Sequence, residues 1–138
     1  MEKVTIFTRG ISRGNPGPAA IGVLFVDSKG KVLGKISESI GNSTNEYAEF
    51  FAVVRGMHAV VEFLGDKTKE MEFELKLSNE VLKKQLNAEH QIKDVGLIGS
   101  FIEVYNVRVE SLPNLVPVYI EPEQNIEAEK LAIKALDA

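Results

Sequence analysis

Thr8-Arg9-Gly10-Ile11-Ser12-Arg13-Gly14-Asn15-Pro16-Gly17-Pro18-Ala19 is the stretch on which the fold turns. Ahead of it, Val4 to Thr8 is β-prone and largely apolar, and reads as a buried strand. Three glycines and two prolines then fall between Gly10 and Pro18 and force a turn. Ala20 to Val26 reads as a second strand. Asp27-Ser28-Lys29-Gly30 is a tight hairpin connection in which Gly30 supplies a positive φ. Val32 to Ile40 returns as a third strand.

Outward from this hairpin ladder the period changes. Asn42 to Asn45 is a polar stop in which Ser43, Thr44 or Asn45 can cap a helix. Tyr47, Phe50, Phe51, Val54, Met57, Val61 and Leu64 then recur every three or four residues, so a helix is predicted as far as about Leu64, ended by Gly65-Asp66. Met71 to Leu77 alternates apolar and charged residues and reads as a fourth strand. Ser78 or Asn79 caps a short helix to about Leu86.

Two readings compete further on. Val107 to Glu110 alternates like a strand, whereas Ile98, Phe101, Ile102, Tyr105, Val109 and Leu112 keep helical spacing. The longer pattern favours a helix from about Gly96 to Ser111, stopped by Pro113. Val116 to Ile120 is the fifth strand, with Pro117 suited to its start or to an edge. Ile126 to Leu136 closes the chain as a helix with Ala128, Leu131, Ala132 and Ala135 on one face. The order βββαβααβα predicts an α/β fold with a mixed five-stranded sheet flanked by helices.

Composition agrees with one domain over residues 1–138: 44% of residues are hydrophobic and 26% charged. The chain has no cysteine, which excludes disulfides and thiolate metal sites and suits a reducing cytoplasm. No apolar run approaches the roughly 20 residues that span a bilayer, so no membrane partner is expected. The opening residues read as a strand and not as a signal peptide. A net charge of −4 argues against a broad phosphate-binding footprint.

The motifs carry a resemblance. Thr8-Arg9-Gly10 through Gly14-Asn15-Pro16-Gly17-Pro18-Ala19 resembles the opening of ribonuclease H type 1 proteins, whose first strand ends in Thr-Asp-Gly. Thr44-Asn45-Glu46-Tyr47-Ala48-Glu49 resembles their first-helix signature. Lys84-Gln85-Leu86-Asn87 is similar to the segment after their third acidic residue. Glu123-Gln124-Asn125-Ile126-Glu127-Ala128-Glu129-Lys130-Leu131-Ala132 is similar to their final motif. These matches occur in the family's order and spacing over nearly the whole chain. They imply the ribonuclease H-like fold and an activity that cleaves the RNA strand of an RNA–DNA hybrid with two Mg²⁺ ions held by carboxylates.

The resemblance also places four site positions. They fall on Arg9, Glu49, Ser78 and Glu129, of which only Glu49 and Glu129 are acidic; a slip of one residue would put Asn79 in place of Ser78. An arginine at the first position brings positive charge where Mg²⁺ should sit and removes a bridging ligand. The expectation is therefore a ribonuclease H-like pseudo-enzyme with no cofactor, which retains weak binding to RNA–DNA hybrid or other nucleic acid. The alternative is an altered ribonuclease that uses Mg²⁺ or Mn²⁺ on Glu49, Glu129 and Glu80. A third reading is a protein-interaction module or homodimer.

Arg9 is expected to pair with Glu49, with Glu129 joining them, in place of the metal. Asn15, Thr44 and Asn45 match positions that contact the hybrid in the family, although the same residues make turns and caps without any ligand. Glu46 adds charge on that face that would repel phosphate. His58 and His90 have no second ligand at metal spacing and read as structural or surface residues. The family's longer basic handle has no counterpart in the sequence.

Overall fold

The computed structural model describes residues 2–138. Three antiparallel strands come first: β1 Lys3–Ser12, β2 Gly17–Val26 and β3 Val32–Ser43. Helix α1 (Asn45–Leu64) and a 3-10 turn (Gly65–Glu70) lead to β4 (Glu72–Leu77). Then come α2 (Glu80–Leu86), α3 (Ile98–Glu110), β5 (Leu115–Tyr119) and α4 (Ile126–Asp137). The sheet order is β3-β2-β1-β4-β5, with β4 and β5 parallel to β1. The ribonuclease H-like mixed sheet flanked by helices is therefore present.

Both sides of the central sheet are covered. On β1, Val4, Ile6, Thr8 and Gly10 alternate with half-buried neighbours. A Cβ built at Gly56 in α1 would meet Ile6, Thr8 and Val23, so this side carries α1. Gly22 pairs with Arg9, and a Cβ there would overlap the α4 backbone at Ala128. The opposite side therefore carries α4. Strand β2 lies between the two helices, which is why Ala19 to Phe25 is buried without alternation.

Several boundaries differ from the sequence expectation. The first turn shrinks to residues 13–16, because β1 and β2 keep pairing out to Ser12 and Ala19. Gly10 is thus a strand residue, needed for close approach: a Cβ there would overlap the Ala48 backbone. The third strand runs on to Ser43, and the fifth begins one residue early, at Leu115. The stretch before Pro113 is a helix, and the strand reading of Val107 to Glu110 is wrong. Its apolar stripe does not all face inward, however. Leu112 is buried and Phe101 half-buried, but Ile98, Ile102, Tyr105 and Val109 are exposed, while the core contact comes from Val104 and Leu97.

In α1 the buried stripe is wider than expected, because the helix is covered by the sheet on one side and by α3 on another. Ala52, Val53 and Val60 join Phe50, Val54 and Met57 in the core, whereas Tyr47 is exposed and Phe51, Val61 and Leu64 are half-buried. Thr44 is the cap: its hydroxyl accepts from the Tyr47 amide at 3.1 Å. Gly65 ends the helix at φ 70°, its amide donating to the Val61 carbonyl.

Because the obstruction at Gly10 is backbone and cannot rotate aside, Gly10→Ala should cost about 3 kcal/mol or more. Gly30→Ala should cost only about 1 kcal/mol, since φ 83° is strained for alanine but the space around it is open. Urea denaturation of the two variants checks the ranking.

Candidate nucleic-acid interface

In an open sheet, ligand sites gather beyond the carboxyl ends of parallel strands. Here those ends are Thr8–Arg9 of β1, Leu77–Ser78 of β4 and Tyr119–Ile120 of β5. The start of α1 lies against the first of them through the Gly10–Ala48 approach.

Glu49 is the centre of the arrangement. It is 3% exposed, and its Oε1 accepts from the Gly10 amide at 2.6 Å and from Arg9 Nη1 at 2.7 Å. Nη1 of Arg9 further donates to the Gly10 carbonyl at 2.8 Å. Burial raises the Glu49 pKa above the usual carboxylate value, outweighing the opposing pull of Arg9, the Gly10 amide and Asn79. Arg9 keeps 28% of its side-chain surface in solvent, so the two halves of the pair are unequally wet.

A second network ties the strand ends together. Asn125, 2% exposed, donates from Nδ2 to the Thr8 carbonyl at 2.9 Å and to Ser78 Oγ at 3.1 Å. Its Oδ1 is buried without a partner among the described residues. Asn79 caps α2, accepting from the Leu82 amide at 3.0 Å. Of the two residues considered for the third position, Asn79 is therefore engaged as the α2 cap, while Ser78 is held by Asn125.

The other acids lie apart. Glu129 makes no ion pair with Arg9 among the described residues, so the expected three-membered cluster reduces to Arg9 and Glu49. Glu80 is exposed and sits 3.4 Å from Lys84 Nζ. No three of His, Asp and Glu converge as a metal-binding group among the described residues. A pair of divalent ions does not fit this donor set. The one buried carboxylate already accepts from a guanidinium and an amide, and its neighbours Ser78, Asn79 and Asn125 are neutral.

The three candidate contact residues form one surface joint. Asn15, in the β1–β2 turn, accepts through Oδ1 from the Asn45 amide at 2.8 Å, next to the Thr44 cap. The turn is thereby fastened to the start of α1, and Nδ2 of Asn15 has no partner among the described residues. His58 sits 2.9 Å from Glu103 on the outer side of α1, and His90 is exposed beyond α2. Sequence reasoning passed over Asn125 as a site residue. Its place in the final motif was visible, but its role depends on a contact across 117 residues.

These features define a ribonuclease H-like domain whose site carries an internal cation. The family described as reverse transcriptase-like matches residues 7–135. Ribonuclease HI of Halobacterium salinarum is 28% identical over 135 residues, which cover 98% of this chain and 65% of that protein. Mycobacterial relatives at 26% identity are longer still, and the chain spans 36% of their length. Among solved structures, LC11-RNase H1, isolated from compost by a metagenomic approach, superposes with a TM-score of 0.94 at 39% identity, over 99% of this chain and 97% of that one. LC11-RNase H1 in complex with RNA/DNA hybrid is similar at 38% identity and a TM-score of 0.93, over 97% and 96%. The chain belongs to the reverse transcriptase-like family as a ribonuclease H type 1 member.

The unequal burial of Arg9 and Glu49 sets the direction of two substitutions. Arg9→Ala strands a buried carboxylate and should cost about 2–3 kcal/mol at neutral pH. Glu49→Gln leaves a guanidinium that solvent can still reach, and should cost about 1 kcal/mol or less. The folded-state pKa of Glu49 is raised, so the stability linked to its protonated form is complete below the usual carboxylate range. That stability is lost as pH rises through the folded value. Removing Arg9 raises this value further, so the Arg9→Ala deficit should be smallest in acid and grow towards neutrality. Urea denaturation of both variants and the wild type across that pH range measures the effect. An Arg9→Ala protein as stable as wild type at neutral pH would show that the pair contributes nothing.

Proposed function

We propose that this protein engages RNA–DNA hybrid through the family's groove but does not cleave it by the two-metal route. One observation carries the reading: the buried Glu49 carboxylate accepts from Arg9 where the family would place a metal-bridging pair of acids. The similarity to a ribonuclease H1 solved with RNA/DNA hybrid supports the choice of ligand. The joint formed by Asn15, Thr44 and Asn45 supports it further, since it presents amide groups on a fixed turn and helix start. The acidic net charge and the exposed Glu46 make the affinity modest and strongly dependent on salt.

A second reading draws on the ribonuclease names of the relatives. It keeps hydrolysis, with Mg²⁺ or Mn²⁺ on Glu49, Glu129 and Glu80. That arrangement requires Glu49 to exchange its guanidinium for a metal and Glu80 to leave Lys84.

A labelled RNA–DNA hybrid incubated with excess protein and Mg²⁺ or Mn²⁺ separates the two. The expected result is intact RNA strand. Metal-dependent cleavage that disappears in Glu49→Gln would overturn the proposal in favour of the second reading.

A further inference from the structure

The Arg9 guanidinium is only half used. Nη1 directs its hydrogens to Glu49 and to the Gly10 carbonyl, whereas Nη2 and Nε have no partner among the described residues. These two nitrogens form one planar edge of the fork, and the side chain is 28% exposed. The fork cannot swing freely, because the contacts of Nη1 anchor it to the backbone of β1 and to the start of α1. A pre-oriented pair of N–H donors is therefore held at the carboxyl end of the parallel strands.

Ser78 follows Leu77, the strand partner of Thr8, and so stands at the neighbouring strand end. Its Oγ accepts from Asn125 Nδ2, which also holds the Thr8 carbonyl immediately before Arg9. The Ser78 hydroxyl hydrogen thus remains free to donate. Asn79, in contrast, has its side-chain oxygen engaged as the α2 cap, where it accepts from the Leu82 amide. The unused polar hydrogens of Arg9 and Ser78 are donors, and among the described residues no carboxylate other than Glu49 pairs with the guanidinium. This is the complement of an oxyanion with several acceptor oxygens.

We propose that Arg9 binds a backbone phosphate of the hybrid directly, with Ser78 donating to the same group, so that a cation of the chain itself takes the place of divalent metal in holding the nucleic acid. The inference rests on the hybrid-binding reading above and specifies how that site works. The guanidinium edge matches two phosphate oxygens in bidentate fashion, which an ammonium group cannot do. Glu49 orients Arg9 but also offsets part of its charge. Its effect on phosphate binding is therefore opposite in sign to that of Arg9, and this gives the proposal a signature that a general loss of structure does not imitate.

The test is fluorescence anisotropy of a labelled RNA–DNA hybrid with the full chain, at several salt concentrations, in EDTA and in Mg²⁺. Wild type, Glu49→Gln, Arg9→Lys and the double variant Arg9→Ala with Glu49→Gln are compared. The double variant removes the carboxylate that Arg9→Ala alone would strand, and thermal melting confirms that it folds. Wild type should bind in EDTA at least as tightly as in Mg²⁺, which competes for the phosphates, and Glu49→Gln should bind more tightly. The double variant should bind about tenfold more weakly than Glu49→Gln. Its log–log salt slope should be smaller by about one, as for one lost phosphate contact. Arg9→Lys, which keeps charge but loses the fork, should fall below wild type.

A double variant that binds as tightly as Glu49→Gln, with the same slope, overturns the role of Arg9 and leaves hybrid binding intact. Binding that requires Mg²⁺ and vanishes in Glu49→Gln overturns it in favour of a metal. No binding by folded wild type defeats the hybrid reading itself, and this inference with it.

Discussion

A carboxylate buried between a helix and a strand needs donors on its own side of the solvent boundary. For Glu49 they come from the Gly10 amide and the Arg9 guanidinium. That requirement fixes much else. The helix must start where its second turn can face Gly10, which demands a residue without Cβ at that point of β1. Thr44 then has to end the β3 connection as a cap, and the Asn15 turn has to reach the Asn45 amide. The strand ends are joined from the other side by Asn125, whose amide links Thr8 to Ser78. Helix placement, turn and strand-end network thus converge on the neighbourhood of one buried anion.

The same constraint shapes the chemistry. In a two-metal site several carboxylates tolerate one another because divalent ions lie between them. Here Glu49 faces the Arg9 guanidinium, and Ser78 and Asn79 are neutral. Glu129 makes no ion pair with Arg9 among the described residues and stands on the first turn of α4, where a helix N-terminus favours negative charge.

Much of the architecture was legible in the sequence because local signals agreed with the fold. The hairpin at Asp27 to Gly30, the Thr44 cap, the Gly65 stop and the α4 alanine face all depend on neighbours in the chain. The first turn was misjudged because Gly10 and Gly14 look alike in sequence. Gly14 has a positive φ in the turn, whereas Gly10 makes room for a helix that arrives some forty residues later. The outward stripe of α3 was equally hidden, since helical spacing reveals a face but not whether anything covers it. At the site, the motifs placed Arg9 and Glu49 in the family's positions, and their pairing followed from charge. The absence of Glu129 from the pair, and the division of roles between Ser78 and Asn79, depend on distances of a few ångströms that no motif encodes.

On the proposed reading, Glu49 is satisfied by Arg9 and not by a divalent ion. Anomalous diffraction from crystals soaked in Mn²⁺ tests it most directly. No anomalous peak should lie within coordination distance of Glu49, and the Arg9 Nη1 contact to Oε1 should be preserved. A Mn²⁺ peak bonded to Glu49, with the guanidinium displaced, would contradict it.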